Sequence, residues 1–258
     1  MKLGVSYNVF DGTELLEKSI LQIRDSCFYI NVVLQEKSNY LNDIKKEDLD
    51  TVNRLYYEKL IDEIIYFNPQ FENPVINSNI SYDLCHKNEI RKRKRGLRYC
   101  RENGCSHFIS MDVDEFFLPS EFKTAIKIIE YKKYDATCCF IKDYICKPIY
   151  RMREYSNYYV PFIHDINLEL SLNSDYDVYV DPTRRFINYK NFCLLDPDDI
   201  YMHHMSTVRK NEESLRWKYI NSSAKVNIKN INKKVKDIIN FEPNNEIDIV
   251  NNIFEIKF

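Results

Sequence analysis

Glycine is scarce, with four residues in 258. A loop that cradles phosphates on its backbone needs several glycines at fixed spacing. Neither G-x-G-x-x-G nor G-K-[ST] occurs, which excludes a P-loop or a Rossmann dinucleotide loop. The eight cysteines, at 27, 85, 100, 105, 138, 139, 146 and 193, form no C-x-x-C pair. A zinc ribbon is thereby excluded, and free thiols in a reducing compartment are expected. No window approaches the ~20 apolar residues of a membrane span, and the opening MKLGVSYNVFDG lacks the apolar run of a signal peptide. The expectation is a soluble, cytoplasmic chain without a transmembrane segment. A net charge of −2 sets up no global field for nucleic acid or membrane.

What is present is a large apolar fraction, 44%, enough for one full-sized core. Leu3–Tyr7 reads as a short buried strand, and Leu15, Leu16, Ser19, Ile20 and Ile23 recur at helical spacing behind a capping Thr13. The β-branched and aromatic stretch 28–35 reads as a second strand. A helix near 45–60, a strand at 59–67 and a basic helix over 88–103 ending at Gly104 follow. That helix feeds a strand at 107–111. Further apolar segments lie at 135–145, 148–159 and 201–208, and a basic, Asn-rich helix or loop at 225–236. Strand alternating with helix predicts an α/β fold, a mostly parallel central sheet with helices on both faces. No repeat or long linker interrupts it.

One stretch stands out: HFISMDVDEFFLP, His107 to Pro119. It runs apolar through Ile109 and Met111, sets down Asp112, Asp114 and Glu115, and turns apolar again. Ligands of an open α/β sheet gather at the carboxyl ends of its strands. A strand ending in D-x-D would carry two carboxylates there, on one side if the chain stays extended. Clustered carboxylates repel and need a cation or proton to coexist. Mn²⁺ or Mg²⁺ is the natural partner and commonly also holds phosphates. The plainer reading is a helix N-terminus with Asp114 and Glu115 in its first turn.

The surrounding pattern decides between them. Asn88, Glu89, Lys92, Arg93 and Gly96 form NE-x-x-KR-x-x-G, followed by the hydrophobic strand ending D-V-D-E-F-F. Together they resemble family-2-like nucleotide-sugar glycosyltransferases with the A-type (GT-A) fold. The opening strand, helix and second strand, and H-x-S-x-x-R at His204, Ser206 and Arg209, are similar to the same family. The resemblance covers residues 3–215. It implies a GT-A domain over 1–215, with 216–258 as a helical or variable extension packed on it.

The resemblance also implies roles. Asp114, with Asp112 and His204, would hold the Mn²⁺ or Mg²⁺, Asp112 through water or by binding the donor ribose instead. Glu115 would orient a ligand or the acceptor sugar, or cap a helix. Lys92, Arg93, Asp112, Tyr7 and Asn8 would bind the nucleotide-sugar donor. UDP is the default nucleotide, with GDP as the alternative, because Gln35 and Glu36 stand where the family carries acids that read the base. A carboxylate base is expected between the D-x-D strand and the late histidine: Asp181 or Asp165, ahead of Asp196, Asp198 and Asp199. The acceptor would be a glycan or glycolipid in surface polysaccharide or lipooligosaccharide assembly, at the inner membrane face with peripheral membrane contact. A nucleotidyltransferase and a non-catalytic nucleotide-sugar- or glycan-binding protein are the alternatives.

Three residue-level readings complete the picture. His203 and His204 are adjacent, so on a strand they point to opposite faces and one at most reaches the metal, His204 by the family register. Seven of the eleven residues from Arg91 to Arg101 are Lys or Arg. They cannot share one helix face, and most are solvated. Without a stacking platform or net basic charge they do not make a nucleic-acid surface. The tyrosines between 150 and 189 offer either a sugar platform or, more simply, core packing.

Overall fold

β1 (Leu3–Val9) is buried along its whole length, because both of its faces are covered. In the computed structural model, which describes residues 1–70, 82–172, 176–222 and 228–258, Ser6 and Tyr7 show the two sides. Tyr7 Oη bonds Ser19 Oγ of α1 (Thr13–Ile23) at 2.9 Å. Ser6 faces Gly96 of α3 (Tyr82–Glu102), where a Cβ would lie 1.9 Å from Ser6 Oγ. Only glycine lets that helix pack so closely, so the glycine of NE-x-x-KR-x-x-G is a packing requirement. β1 pairs in parallel with β2 (Tyr29–Gln35), and β2 with β3 (Glu63–Phe67) beyond α2 (Lys46–Tyr57). α3 then carries the chain back across the sheet to β4 (His107–Asp112), which pairs in parallel on the other side of β1, with Asn8 opposite Asp112. The strand order therefore reverses between β1 and β4, the place where open α/β sheets bind ligands.

The remaining elements are β5 (Glu115–Phe116), α4 (Pro119–Lys132), β6 (Ala136–Asp143), β7 (Tyr150–Met152), β8 (Val160–Asp165), β9 (Glu169–Leu170), β10 (Phe186–Ile187), β11 (Phe192–Leu194), β12 (Tyr201–His204), α5 (Glu212–Asn221), α6 (Ile228–Ile239) and β13 (Ile247–Ile249). The large sheet has the order β3-β2-β1-β4-β8-β6-β12-β5, with β11 beside β6. β8 and β5 run antiparallel to their neighbours. The architecture is a mixed α/β domain with a mostly parallel sheet. Its main core spans both β1 and β8 and includes the Phe117, Phe122 and Phe162 rings, 5.1–5.5 Å apart.

Several boundaries differ from the sequence expectation for physical reasons. α3 begins six residues before 88, and part of its buried face from there on is polar (Asn88, Lys92 and Arg93). β3 starts only at Glu63, after Lys59 takes a left-handed φ of 65°. Of the segment 225–236, residues 225–227 lie outside the described residues and the rest belongs to α6. The division expected at 215/216 falls inside α5, whose Leu215 and Tyr219 pack with Ile231 and Val235 of α6. β13 then returns to pair with β7.

Candidate active site at the strand ends

β1, β4, β6 and β12 run in one direction, and each delivers a polar residue at or near its carboxyl end: Asn8, Asp112, Asp143 and His204. All four line a single cavity of about 950 Å³, the size of a typical ligand pocket.

The chain does not remain extended through D-x-D. β4 stops at Asp112, Val113 and Asp114 form a turn, and Glu115 opens β5, which pairs with β12. Each acid therefore meets its own partners. Asp112 receives Arg93 Nη2 on both oxygens (3.1 and 3.2 Å) and Arg184 Nη2 on Oδ2 (2.5 Å). Burial pushes its carboxyl up, but Arg184 and Arg93 hold it below the usual carboxylate range. Asp114 receives Arg209 Nη2 (3.0 Å) and Lys218 Nζ (3.1 Å), both on Oδ2. Its burial is outweighed by Lys218, Arg209 and His204, which hold it well down.

Glu115 does not line the cavity. It accepts both Arg184 terminal nitrogens (2.5 and 3.0 Å) and the Asp112 backbone N–H (3.0 Å), which ties β4, β5 and the turn at Pro182–Arg184 together. Burial pushes its carboxyl up, against the pull of Arg184. It caps no helix, since α4 begins only at Pro119. The helix-terminus reading of these acids fails for the same reason.

His203 and His204 point apart. His203 is fully buried among Tyr144, Tyr201 and Phe254, its Nδ1 sharing a hydrogen bond with Tyr144 Oη (2.8 Å). Burial takes its pKa down to about 3, so it is neutral. His204 Nδ1 donates to Asp143 Oδ1 (2.7 Å), and Nε2 lies 4.0 Å from Asp114 Oδ1. Burial pushes His204 down, but the Asp143 bond and the charges of Asp114 and Asp143 raise it. Asp143, also bonded by Ser156 Oγ, thus fixes both tautomer and ring orientation.

A divalent cation fits one part of this set. Among the described residues both cations of Asp114 sit on Oδ2 and not on Oδ1, and with Nδ1 committed to Asp143, His204 would offer Nε2 as a lone-pair donor once that nitrogen gives up its proton. A carboxylate behind a ligating histidine is the usual support of a metal ligand. Among the described residues no three His, Cys, Asp or Glu side chains close on one point. An ion here would complete its shell with substrate phosphates and water, as Mg²⁺ does. Asp112, with both oxygens engaged by arginine, is not free for direct ligation.

The other expected site residues divide. Lys92 lines the cavity, its Nζ on Gln35 Oε1 (2.9 Å) and Glu89 Oε2 (3.0 Å). Arg93 also lines it, but its donors go to Asp112, Ser110 (2.8 Å) and Thr183 (3.3 Å), so it braces the acid. Asn8 presents an Oδ1 without a partner among the described residues. Tyr7 faces α1 and is absent from the lining, because strand alternation sends it to the other side from Asn8. Asp181 lines the cavity, its Oδ1 held by Thr183 N–H and Oγ1 (2.8 and 2.9 Å). Asp165 stands opposite His107 at the start of β4, the far end from the acids, and takes the Asn167 N–H in a turn (2.8 Å). It is off the site because β8 runs antiparallel. Asp196, Asp198 and Asp199 are also outside the lining. Gln35 lines the cavity; Glu36 turns away to Asn68 (2.9 Å). Among the tyrosines, Tyr158 reaches the cavity, while Tyr176 and Tyr189 pack on Phe192.

Sequence reading missed Asp143, Arg184 and Lys218. Asp143 had a signal, since CCFIKD ends an apolar strand on an acid just as HFISMD does. Lys218 had none, lying on α5 far along the chain.

No family model matches this chain, and no curated protein matches it. Among solved structures it is similar to Staphylococcus aureus TarS at 12% identity and a TM-score of 0.47, covering 93% of this chain and 43% of that one. It is similar to TarS 1–349 in complex with UDP at 12% identity and 0.46, covering 93% and 71%. For TarS 1–349 in complex with UDP-GlcNAc the figures are 16%, 0.46, 93% and 72%. The chain thus spans less than half the length of the first of these.

Proposed function

We propose that this chain is a metal-dependent glycosyltransferase, moving a sugar from a nucleoside diphosphate sugar, UDP in preference to GDP, to a glycan or glycolipid acceptor in surface polysaccharide or lipooligosaccharide assembly. One observation carries the reading. At the point where strand order reverses, Asp114 and His204 stand beside Arg209, whose Nε and Nη1 are buried without hydrogen-bond partners among the described residues. Buried donors left unpaired call for a ligand, and arginine beside a cation site suits a diphosphate.

In this reading Asp114 and His204 hold Mn²⁺ or Mg²⁺, which supplies positive charge to the departing diphosphate. Arg209 and Lys218 bind the phosphates. Asn8 and Asp112 meet the ribose, Asp112 kept ionised by Arg93 and Arg184. Asp181 takes the acceptor proton as the hydroxyl oxygen bonds the anomeric carbon and the bond to the diphosphate breaks. The setting is the cytoplasmic membrane face, reached by peripheral contact.

Melting curves with UDP, GDP, CDP and ADP, each with Mn²⁺ and with chelator, test the donor class. A ligand at 100 times its dissociation constant adds ~2.7 kcal/mol, or about 5–10 °C for a chain of this size. One nucleotide should give that shift, and chelator should remove it. No shift for any of them overturns the reading, and release of pyrophosphate instead of a nucleoside diphosphate would make the protein a nucleotidyltransferase.

The two histidines should separate under mutation. His203→Ala empties a packed aromatic site and is expected to cost about 2–4 kcal/mol while leaving Mn²⁺ dependence intact. His204→Ala should cost little stability and weaken Mn²⁺ binding by 10-fold or more, roughly the loss seen on removing a metal-site residue. Equal loss of Mn²⁺ binding in both would refute the assignment.

A further inference from the structure

Asp114 carries more positive charge than it needs. Arg209 and Lys218 both sit on its Oδ2, and both also feel the charge of Asp11. The two cations are not equivalent. Arg209 is pinned: its side chain is 2% exposed, and its guanidinium lies against Gly12, where a Cβ would come within 2.9 Å of Nη1. Gly12 also has φ +75°, so the site is shaped to hold this guanidinium in place. Lys218 reaches in from α5 on a flexible four-carbon stem, is 20% exposed, and among the described residues bonds Asp114 and the Ser206 carbonyl (2.5 Å). It lines the cavity. A lysine ammonium is a compact charge that changes partner readily, whereas an arginine fork does not.

Resting on the glycosyltransferase reading, we propose that Lys218 is a stand-in counter-ion for Asp114, drawn onto the phosphates when a nucleoside diphosphate binds, so that nucleotide and divalent cation bind this site cooperatively. Without nucleotide, a divalent cation approaching Asp114 meets two positive charges already in place and is repelled. A diphosphate brings two or more negative charges, takes the ammonium from Asp114 Oδ2, and leaves that carboxylate to the cation. No bond is made or broken; the step is an exchange of ionic partners. Linkage then requires that the cation strengthen nucleotide binding by the same factor as the nucleotide strengthens cation binding. Lys218 is a positioning residue for this coupling, and its effect shows in binding before any turnover.

The test is titration of Mn²⁺ and of UDP or GDP into the full chain by calorimetry and by the Mn²⁺ resonance signal, with Lys218→Met and Lys218→Arg alongside. Saturating nucleotide should tighten Mn²⁺ binding to the wild type about tenfold or more, within the usual 5–150-fold range of coupling. Lys218→Met should bind Mn²⁺ alone about tenfold more tightly than the wild type, bind the nucleotide alone more weakly, and show less than threefold coupling. Lys218→Arg keeps the charge and should bind Mn²⁺ alone as weakly as the wild type. A merely structural lysine would lower both affinities when removed, and a misfolded variant could not gain one. Nucleotide binding with equal Mn²⁺ affinities in wild type and Lys218→Met overturns the role of Lys218 while leaving the function in place. Absence of nucleotide binding by the wild type, with or without Mn²⁺, overturns the function and this inference together.

Discussion

Asp114→Asn is expected to lose roughly 10³-fold in sugar transfer, the scale set by removing one charge-stabilising group from a preorganised site, and to remain folded. Both halves follow from its contacts. The carboxylate is 9% exposed and meets Arg209 and Lys218 on one oxygen, with the other toward His204. An asparagine keeps an oxygen for the two cations but not the charge that lets it share a metal ion. Stranding a buried partner outright costs about 3–5 kcal/mol. With the hydrogen bonds largely retained the cost falls to about 1–3 kcal/mol, within the 5–15 kcal/mol by which domains of this kind are stable. The assays are transfer rate, far-ultraviolet circular dichroism, and the melting shift with nucleotide and Mn²⁺, which should disappear. Wild-type turnover in a folded Asp114→Asn protein would end the assignment of this acid.

Arg184→Met is expected to be the most destabilising of the substitutions considered, by about 3–5 kcal/mol at neutral pH, because it leaves buried carboxylate charge without its counter-ion. Arg184 and Glu115 are each 5% exposed at the side chain, and Arg184 also bonds Asp112. The pH dependence gives the cause away. In the wild type, Asp112 is held below its ordinary value. Its stabilisation is therefore present above its unfolded pKa of ~3.9 and lost as pH falls further. Burial already raises Glu115 against the pull of Arg184; without Arg184 it rises further above its unfolded value of ~4.3, so the folded variant binds more protons than the folded wild type. The deficit of the variant relative to the wild type should therefore shrink as pH falls from 7 toward 5. Urea midpoints at pH 7, 6 and 5 decide it. A variant whose deficit is the same at all three values would show that Arg184 contributes packing and not charge balance.

How much of this could be read from the chain follows from what each signal depends on. The strand and helix order 3–67 was legible because β1 and β2 are buried on both faces and so read as short, nearly continuous apolar runs. α3 was legible from Asn88 onward through its basic run, while its first residues, 82–87, were not read as helix. The expected site residues fall into two groups by strand direction. Asn8, Asp112 and His204 end parallel strands and converge, whereas Asp165 ends an antiparallel strand and is carried to the opposite edge. Periodicity gives strand length but not strand direction. Tyr7 was lost to the same alternation that kept Asn8.

By itself, then, the sequence determined the local periods, the acids at the end of β4, and the opposed histidines, since all three rest on residues at most a few places apart. Tertiary structure alone decided which charges meet. Arg184 lies 72 residues from Asp112, and Lys218 lies 104 from Asp114. Whether a carboxylate has a guanidinium, an ammonium or open space before it depends on how distant segments pack. Coulomb interactions inside a protein act through space within a few ångströms, and no spacing along the chain records that distance.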